Sequence, residues 1–409
     1  MNIQTHLACR KRSRKSSRLT FIRPPWKSAT LSSTLYTVIN VPSPVQSYTN
    51  KGSTLSLKAD ARILPENCGE LQDTGKQTVH EHGQLLWNRS LYYCNIPKCG
   101  STFMGVFLQK VFFNDKNNSS KTFMKKLKGL QNISGVFAFM FVREPYSRLF
   151  SAYENKLFHP NKFWRGLGTD IIREVRHNAS KLSKHLGHDV TFTELIEYVV
   201  KLAEQGRQLN EHLAAMHTMC NPCRQHFDFV GKLETMTEDL VYLVHKWKTR
   251  GILSNDMIFT EDVEAEIKYE RSLGRIRHMF LTYENNLHLI SKYKLFQRTW
   301  SSYQIRGMIL NDYKMPFDEF NISHVDMKLY TQAVESAMDN SKSYENELKT
   351  QRKEALLQAY RTIPAEQMDK LRQFVKTDCV IYGYDDRPEL LFKRSVSEEL
   401  RSHDYFKWL

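Results

Sequence analysis

Residues 136–142 limit the possible folds most strongly, because they read Val-Phe-Ala-Phe-Met-Phe-Val, an uninterrupted apolar run. A strand with one face in water alternates between apolar and polar residues, whereas an unbroken apolar run is typical of a strand buried on both faces of a parallel sheet. Residues 90–96 and 227–233 also have strand-like composition. Helical patterns follow these three segments, at residues 102–113, 146–157 and 236–246. The alternation predicts an α/β domain with a central parallel sheet.

The chain divides into four predicted segments. Residues 1–85 are rich in Ser and Thr without sustained periodicity, which predicts a stem or linker. Residues 86–249 form the predicted core, and residues 250–360 are a highly charged, mostly helical insertion. Residues 361–409 are expected to complete the core with a helix and a closing segment, whose ordered part ends at Tyr384.

The turn after the first strand reads Pro97-Lys98-Cys99-Gly100-Ser101-Thr102. A strand, a tight turn with glycine and a helix form an anion cradle, because the free N–H groups and the dipole at the helix start attract negative charge. Gly100 lets the backbone approach a ligand closely, and Lys98 adds a positive charge. The turn departs from the Walker pattern, in which Lys follows the second Gly, because Lys98 precedes Gly100. This departure argues against a nucleotide kinase or an NTPase.

A second phosphate-binding pattern follows the apolar strand. Arg143 comes directly after the strand, at the edge where α/β sheets bind their ligands, and its guanidinium suits bidentate contact with a phosphate. Ser147 and Ser151 are one helical turn apart, so that a hydroxyl group can join the same site. Arg148 either supports the site or caps and solvates the helix.

The two motifs resemble the phosphosulfate-binding and 3′-phosphate-binding motifs of sulfotransferases, in particular the Golgi carbohydrate sulfotransferases that include the HNK-1, chondroitin and dermatan enzymes. A third similarity lies downstream, in Asn210-Glu211-His212, in Cys220-Asn-Pro-Cys223 and in residues 227–234. The family usually has Trp after the His, whereas this chain has Leu213. The resemblance implies a P-loop-like three-layer domain with a central parallel sheet.

The resemblance also assigns roles to residues. The co-substrate is 3′-phosphoadenosine 5′-phosphosulfate (PAPS), and the reaction transfers its sulfuryl group to a glycan hydroxyl. Lys98 would contact the bridging oxygen of the phosphosulfate, the turn around it would hold the 5′-phosphate, and Arg143 and Ser151 would bind the 3′-phosphate. The expected PAPS-binding residues are Pro97, Lys98, Cys99, Gly100, Ser101, Thr102, Arg143 and Ser151. No metal is expected.

The general base that removes the proton of the acceptor hydroxyl is a separate prediction. His212 is the first candidate because it lies in the segment that resembles the family. Lesser candidates are His217, His185, His188 and Glu154. Lys98 and His212 are therefore the two predicted catalytic residues.

The charge of the chain bears on the acceptor. Lys and Arg number 59 against 44 Asp and Glu, a formal net charge of +15, which favours an acidic partner. An acidic glycan of the chondroitin or dermatan type, or a terminal sugar, fits this charge and the family. A catalytically silent glycan-binding module and a P-loop nucleotide kinase remain alternatives, while a nucleic-acid binder has only the net charge in its favour.

The cysteines and possible glycosylation sites indicate an oxidising compartment. Cys220 and Cys223 form the only CxxC pair, which favours disulfides or buried thiols over zinc, although His212 and His217 leave a mixed metal site open. Sequons begin at Asn88, Asn118, Asn132, Asn178 and Asn321. The family implies a type II membrane protein of the Golgi lumen. A basic run at residues 10–15 fits such an anchor, but residues 28–50 are too polar for a convincing membrane span.

Overall fold

The computed structural model describes residues 68, 83–86, 90–112, 125–126, 135–220, 222–223, 225–254, 261–286, 289–393 and 403–409. The predicted stem therefore lies outside the described residues, apart from Cys68 and a short strand that begins at Gly83. The predicted sequons at Asn88, Asn118 and Asn132 also lie outside them, whereas Asn178 and Asn321 are described and exposed.

Three predicted strands are confirmed as parallel neighbours in one sheet. The described strands are β1 (Gly83–Leu86), β2 (Leu91–Cys94), β3 (Lys125–Lys126), β4 (Phe137–Val142) and β5 (Phe229–Lys232). In the parallel part, Tyr93 of β2 pairs with Phe139 of β4, which in turn pairs with Phe229 of β5. The sheet order is β3-β1-β2-β4-β5, and β1 pairs antiparallel with both of its neighbours. The sheet is thus mixed, a difference from the expected parallel sheet.

Helices occupy most of the remaining described chain. The α-helices are α1 (Ser101–Phe112), α2 (Pro145–Tyr153), α3 (Thr169–Val175), α4 (Lys181–Leu186), α5 (Phe192–Glu204), α6 (Met216–Met219), α7 (Met236–Thr249), α8 (Glu261–Glu284), α9 (Lys292–Ile305), α10 (Met327–Ser341), α11 (Glu345–Arg361), α12 (Ala365–Tyr382) and α13 (Glu389–Phe392). One-turn π-helices span Glu154–Phe158 and Trp164–Gly168, and 3₁₀ turns span Leu233–Thr235 and Ile322–His324.

Helices cover both faces of the parallel strands, which explains the uninterrupted apolar run. On one face, Phe139 packs edge-on against Trp247 of α7, with 5.3 Å between the ring centroids, and α1 completes this layer. On the other face, Met140 is buried in a cluster that contains Met216 of α6 and Ile381 of α12. Alternate residues of β4 thus face two different apolar layers, and none faces water.

Two predictions about where a segment ends differ from the structure. The α-helix after Arg143 ends at Tyr153 and changes into the π-helical turn Glu154–Phe158, instead of continuing to residue 157. The ordered part does not close at Tyr384, because α13 and residues 403–409 follow. Phe406 lies edge-on to Phe158 in the core, at 5.5 Å between the ring centroids.

Two disulfides join the start of the described chain to the segment before β5. Cys94 bonds to Cys220, and Cys68 bonds to Cys223. The prediction of disulfides is confirmed, and the alternative of a metal site at the CxxC pair is wrong because both sulfurs are already bonded. Closing loops this long removes much conformational entropy from the unfolded chain. Cys99 and Cys379 are buried free thiols.

The helical segment after residue 250 packs firmly on the core through Arg298 of α9. This side chain is 1% exposed, and its guanidinium donates hydrogen bonds to the carbonyl oxygens of Phe158 at 2.8 Å, His188 at 2.6 Å and Leu157 at 3.0 Å. All three acceptors are backbone groups, and the carbonyl oxygen of Leu157 also accepts a hydrogen bond from Nε1 of Trp164 at 2.7 Å. Among the described residues, no helix is both long and apolar enough to cross a membrane.

Candidate anion-binding site

The turn between β2 and α1 has the backbone conformation of an anion cradle. Lys98 and Gly100 are both left-handed, with φ angles of 73° and 77°. Residues other than glycine rarely adopt this conformation, so the surrounding structure must hold Lys98 in it. A Cβ atom on Gly100 would lie 3.2 Å from Cδ1 of Leu233. The first N–H groups of α1 have no acceptor within the helix and are available to a ligand.

Arg148 holds this turn against the segment that contains His212. The side chain is 3% exposed, and it donates hydrogen bonds to the carbonyl oxygens of Pro97 at 3.0 Å, Ala214 at 2.7 Å and Glu211 at 3.3 Å. Of the two roles that the sequence left open for Arg148, the structure shows support of the site. It is a positioning residue, since all of these bonds go to the backbone.

Arg143 lies beside the turn, at the carboxyl end of β4. Its guanidinium approaches the carbonyl oxygen of Lys98 at 3.5 Å, and it is otherwise without a partner among the described residues. Burial lowers the pKa of Arg143 to about 10. Glu144 then caps α2, because its carboxylate accepts hydrogen bonds from the N–H groups of Tyr146 at 2.9 Å and Ser147 at 2.6 Å. Ser151 follows one turn later and is half-buried.

Glu154 is a buried carboxylate surrounded by cations from the segment after residue 250. It is 2% exposed, pairs with Arg275 of α8 and accepts a hydrogen bond from the hydroxyl of Ser302 at 2.5 Å. Arg306 approaches its other oxygen at 3.4 Å. Burial raises the pKa of Glu154, but the two arginines outweigh burial and the pKa falls below its usual value. A carboxylate that is held ionised is a poor base, which argues against Glu154 as the general base.

Lys98 is a half-buried cation with no acidic partner for its ammonium group among the described residues. Lost hydration lowers the pKa of Lys98 well below that of an ordinary lysine. The charge of Glu154 opposes this shift, whereas those of Lys156 and Arg306 add to it. Burial likewise lowers the pKa of Lys156 to about 8. Positively charged side chains this close to one another are typical of a site that binds a polyanion.

His212 is half-buried and fixed in one tautomer. Oδ1 of Asn210 lies 3.0 Å from the backbone N of His212 and 2.9 Å from its Nδ1. Because the backbone N–H can only donate, the shared acceptor is oxygen and Nδ1 carries the ring hydrogen. The basic lone pair is then on Nε2. The imidazole lies edge-on to Phe163 at 5.2 Å, and the ammonium of Lys156 lies 3.8 Å from the centre of the same ring.

The other histidine candidates have different surroundings. Nδ1 of His217 lies 2.7 Å from Oδ1 of the buried Asp378. The other carboxylate oxygen, Oδ2, accepts a hydrogen bond from the backbone N–H of Met216 at 2.7 Å. His188 packs against Trp164, and burial lowers the pKa of His188 to about 4. His185 is exposed. No contact among the described residues brings His185 or His188 to Lys98.

Hydrogen bonds join several of the sequence-predicted residues: Arg143 contacts Lys98, and Arg148 joins their turn to the segment of His212. No hydrogen bond among the described residues joins the hydroxyl of Ser151 to this group. The thiol of Cys99 is buried against Met216, with 3.5 Å between the two sulfurs, and burial raises its pKa to about 11, while its N–H donates to the carbonyl oxygen of Ile96 at 3.3 Å. Ser101 and Thr102 begin α1 as expected. Arg275 and Arg306 were not predicted from the sequence, because they lie in a segment without a recognisable motif. Among the described residues, no group of three or more His, Cys, Asp or Glu side chains is arranged to hold a metal ion.

Comparisons with known proteins bear on this site. A model of the sulfotransferase family matches residues 88–322, more than half of the chain. Carbohydrate sulfotransferase 14 of Danio rerio is 30% identical over 208 residues, which cover 48% of this chain and 56% of that protein. Carbohydrate sulfotransferase 11 of Rattus norvegicus is 40% identical over 118 residues, covering 28% and 34%.

Carbohydrate sulfotransferase 8 of Mus musculus is 26% identical over 278 residues, covering 63% of this chain and 64% of that protein. The chain thus spans between about a third and two thirds of the length of these curated relatives. No solved structure matches the chain.

The lowered pKa of Lys98 predicts a pH-dependent affinity for anions. Only the charged ammonium attracts an anion, and the charge of inorganic sulfate is constant above about pH 4. As the pH rises, the affinity for sulfate should therefore fall well before an ordinary lysine loses its charge. Isothermal titration at constant ionic strength measures this. Lys98→Arg should flatten the profile, and the exposed Lys162→Arg should not. An unchanged profile in Lys98→Arg would contradict the assignment.

Proposed function

Because the chain belongs to the sulfotransferase family, we propose that it transfers the sulfuryl group of PAPS to a hydroxyl of a glycan. The observation that carries the proposal is the pair of unneutralised cations at the anion cradle. Lys98 stands in the turn itself and Arg143 approaches its carbonyl oxygen at 3.5 Å. A donor with a 5′-phosphosulfate and a 3′-phosphate supplies two anionic groups for them.

The donor is bound by both motifs in this proposal. The N–H groups of residues 100–102 hold the 5′-phosphate, since the N–H of Cys99 donates to the carbonyl oxygen of Ile96 at 3.3 Å. Lys98 contacts the bridging oxygen, and Arg143 with Ser151 holds the 3′-phosphate. Pro97 contributes by positioning the turn, because its carbonyl oxygen accepts a hydrogen bond from Nε of Arg148 at 3.0 Å. The left-handed conformations of Lys98 and Gly100 support this arrangement, because alternating left-handed residues turn backbone N–H groups toward a common anion.

The reaction is an in-line displacement at sulfur. The acceptor oxygen forms a bond to sulfur while the bond between sulfur and the bridging oxygen breaks, so that adenosine 3′,5′-bisphosphate leaves with the electron pair. Charge grows on the bridging oxygen, where Lys98 and the helix N-terminus stabilise it. The proton of the acceptor passes to Nε2 of His212, whose tautomer Asn210 fixes at 2.9 Å.

We also propose the type of core and the bounds of the segments. Residues 86–249 form a P-loop-like three-layer core, which residues 361–409 complete. Residues 1–85 are a stem, and residues 250–360 are a helical insertion. Helices on both faces of β4 support the three layers.

The proposed location is the Golgi lumen, with an acidic glycan as acceptor. Two disulfides and the exposed Asn178 and Asn321 fit a lumenal, glycosylated protein. Membrane anchoring as a type II protein is an expectation from the family. The formal net charge of +15 supports an acceptor that carries carboxylate or sulfate groups.

The acceptor prediction is tested by transfer from radiolabelled PAPS to a panel of glycans. A chondroitin-type chain should be sulfated, and its KM should rise steeply with salt because screening shortens from ~10 Å at 0.1 M to ~3 Å at 1 M. A neutral oligosaccharide should be a poor substrate. Preference for small neutral alcohols would contradict the acidic acceptor, and no transfer to any glycan would contradict the function.

The role of His212 is tested by His212→Ala in the same assay. Loss of a general base should lower kcat by about 10²–10⁴-fold, while the affinity for adenosine 3′,5′-bisphosphate stays within about twofold of that of the unaltered protein. His217→Gln is the matched control, because it removes a second imidazole that is also held through Nδ1. A larger loss of kcat in His217→Gln than in His212→Ala would transfer the role to His217.

A further inference from the structure

Arg352 on α11 lies at the same end of α2 as Glu154. The hydroxyl of Tyr360 donates to the carbonyl oxygen of Tyr146 at 2.8 Å, which fixes one end of α11 against the start of α2. Nearer the middle of α11, Gln351 donates to the carbonyl oxygen of Gln304 at 2.6 Å, just before Arg306. Arg306 in turn approaches Glu154, near the end of α2, at 3.4 Å.

These contacts make α11 and α2 antiparallel neighbours. Arg352 precedes Tyr360 by about two helical turns, roughly 12 Å, and Glu154 follows Tyr146 by the same distance. Eight residues turn a helix by about 80° beyond two full turns, so Arg352 lies on the exposed flank of α11, next to the face on which Tyr360 is buried. Arg352 also packs beside the residue after Arg306, since a Cβ atom on Gly307 would lie 3.5 Å from Cβ of Arg352.

Arg352 lies near other positively charged side chains, Arg306 and Arg143. Its guanidinium makes no ion pair or hydrogen bond to any residue that the structure describes. The side chain is exposed at the protein surface, but protein atoms crowd around it. This crowding lowers the pKa of Arg352 and the charge of Arg306 lowers it further, although Glu154 and Glu234 oppose both. After burial, Arg352 is also the strongest influence that lowers the pKa of Arg143. Arg143 and Arg352 are thus close enough for their charges to repel each other, and neither has an anionic partner among the described residues.

We propose that Arg352 and Arg143 together bind the 3′-phosphate of the nucleotide, with the hydroxyl of Ser151 as a third donor. The proposal rests on the proposed function and adds a residue from outside the two phosphate motifs. Two guanidinium groups can each offer a fork of N–H donors to the phosphate oxygens. The charge on the phosphate then removes the repulsion between the two arginines.

Arg306 has a different role, because Glu154 already neutralises much of its charge. Arg306 pairs with that carboxylate at 3.4 Å, and Arg275 pairs with it as well. Arg352 forms no ion pair with a carboxylate among the described residues. The helical segment after residue 250 therefore makes two contributions. Arg275 and Arg306 hold Glu154, and Arg352 completes the phosphate pocket.

The test compares two nucleotides that differ only in the 3′-phosphate, using isothermal titration of the full chain with adenosine 3′,5′-bisphosphate and with adenosine 5′-monophosphate. Arg352→Ala should weaken binding of the bisphosphate by about tenfold to a hundredfold, the loss expected for a charged hydrogen bond. It should leave binding of the monophosphate within about twofold. Arg352→Lys should recover part of the loss, because it restores the charge but not the fork.

Lys353→Ala is the matched control, since it removes one positive charge from the adjacent exposed position of α11. It should bind both nucleotides as the unaltered protein does. Equal weakening of both nucleotides by Arg352→Ala, or no weakening of either, would overturn the role of Arg352 while the proposed function stands. Failure of the unaltered protein to prefer the bisphosphate would instead overturn the proposed 3′-phosphate site itself.

Discussion

The buried carboxylate of Glu154 is the interaction on which the geometry of the candidate site depends. It lies between α2 and the helices after residue 250, where it pairs with Arg275, accepts from Ser302 and approaches Arg306. Removing one partner of such a buried pair costs roughly 3–5 kcal/mol, because the other charge is left without compensation. Glu154 thus holds two arginines in place and keeps the helical segment on the core. One carboxylate cannot neutralise all of the surrounding cations, and the charge that remains is available to a ligand.

The sequence was sufficient for the parts of the site that depend on local pattern. The apolar run that becomes β4 predicted a strand buried on both faces, and both faces are covered. The spacing of Lys98 and Gly100 predicted a tight turn between strand and helix, and both residues have the required left-handed φ. Arg143 follows its strand as expected. His212 was chosen by its place in a motif, and Arg148 holds the backbone on both sides of it near the turn.

Contacts between distant segments were not predictable from local pattern. Arg148 could have been a solvated cap, and only its bonds to Pro97, Glu211 and Ala214 show that it joins two segments. Arg275, Arg306 and Arg352 come from helices with ordinary charged sequences, in which nothing distinguishes an inward-facing arginine from a solvated one. The pairing of Cys94 with Cys220, across 126 positions, likewise depends on the folded sheet. Strand β1 is short and lacks a distinctive apolar run, so its antiparallel pairing was missed.

The central claim is that the turn after β2 and the end of β4 bind the two ends of one nucleotide, and a crystal structure with adenosine 3′,5′-bisphosphate tests it most directly. The account predicts the 5′-phosphate within hydrogen-bond distance, ~2.7–3.2 Å, of N–H groups in residues 100–102, with the ammonium of Lys98 beside it. The 3′-phosphate should lie between the guanidinium of Arg143 and the hydroxyl of Ser151. A nucleotide bound elsewhere, or one whose 3′-phosphate points into solvent away from Arg143, would contradict the account.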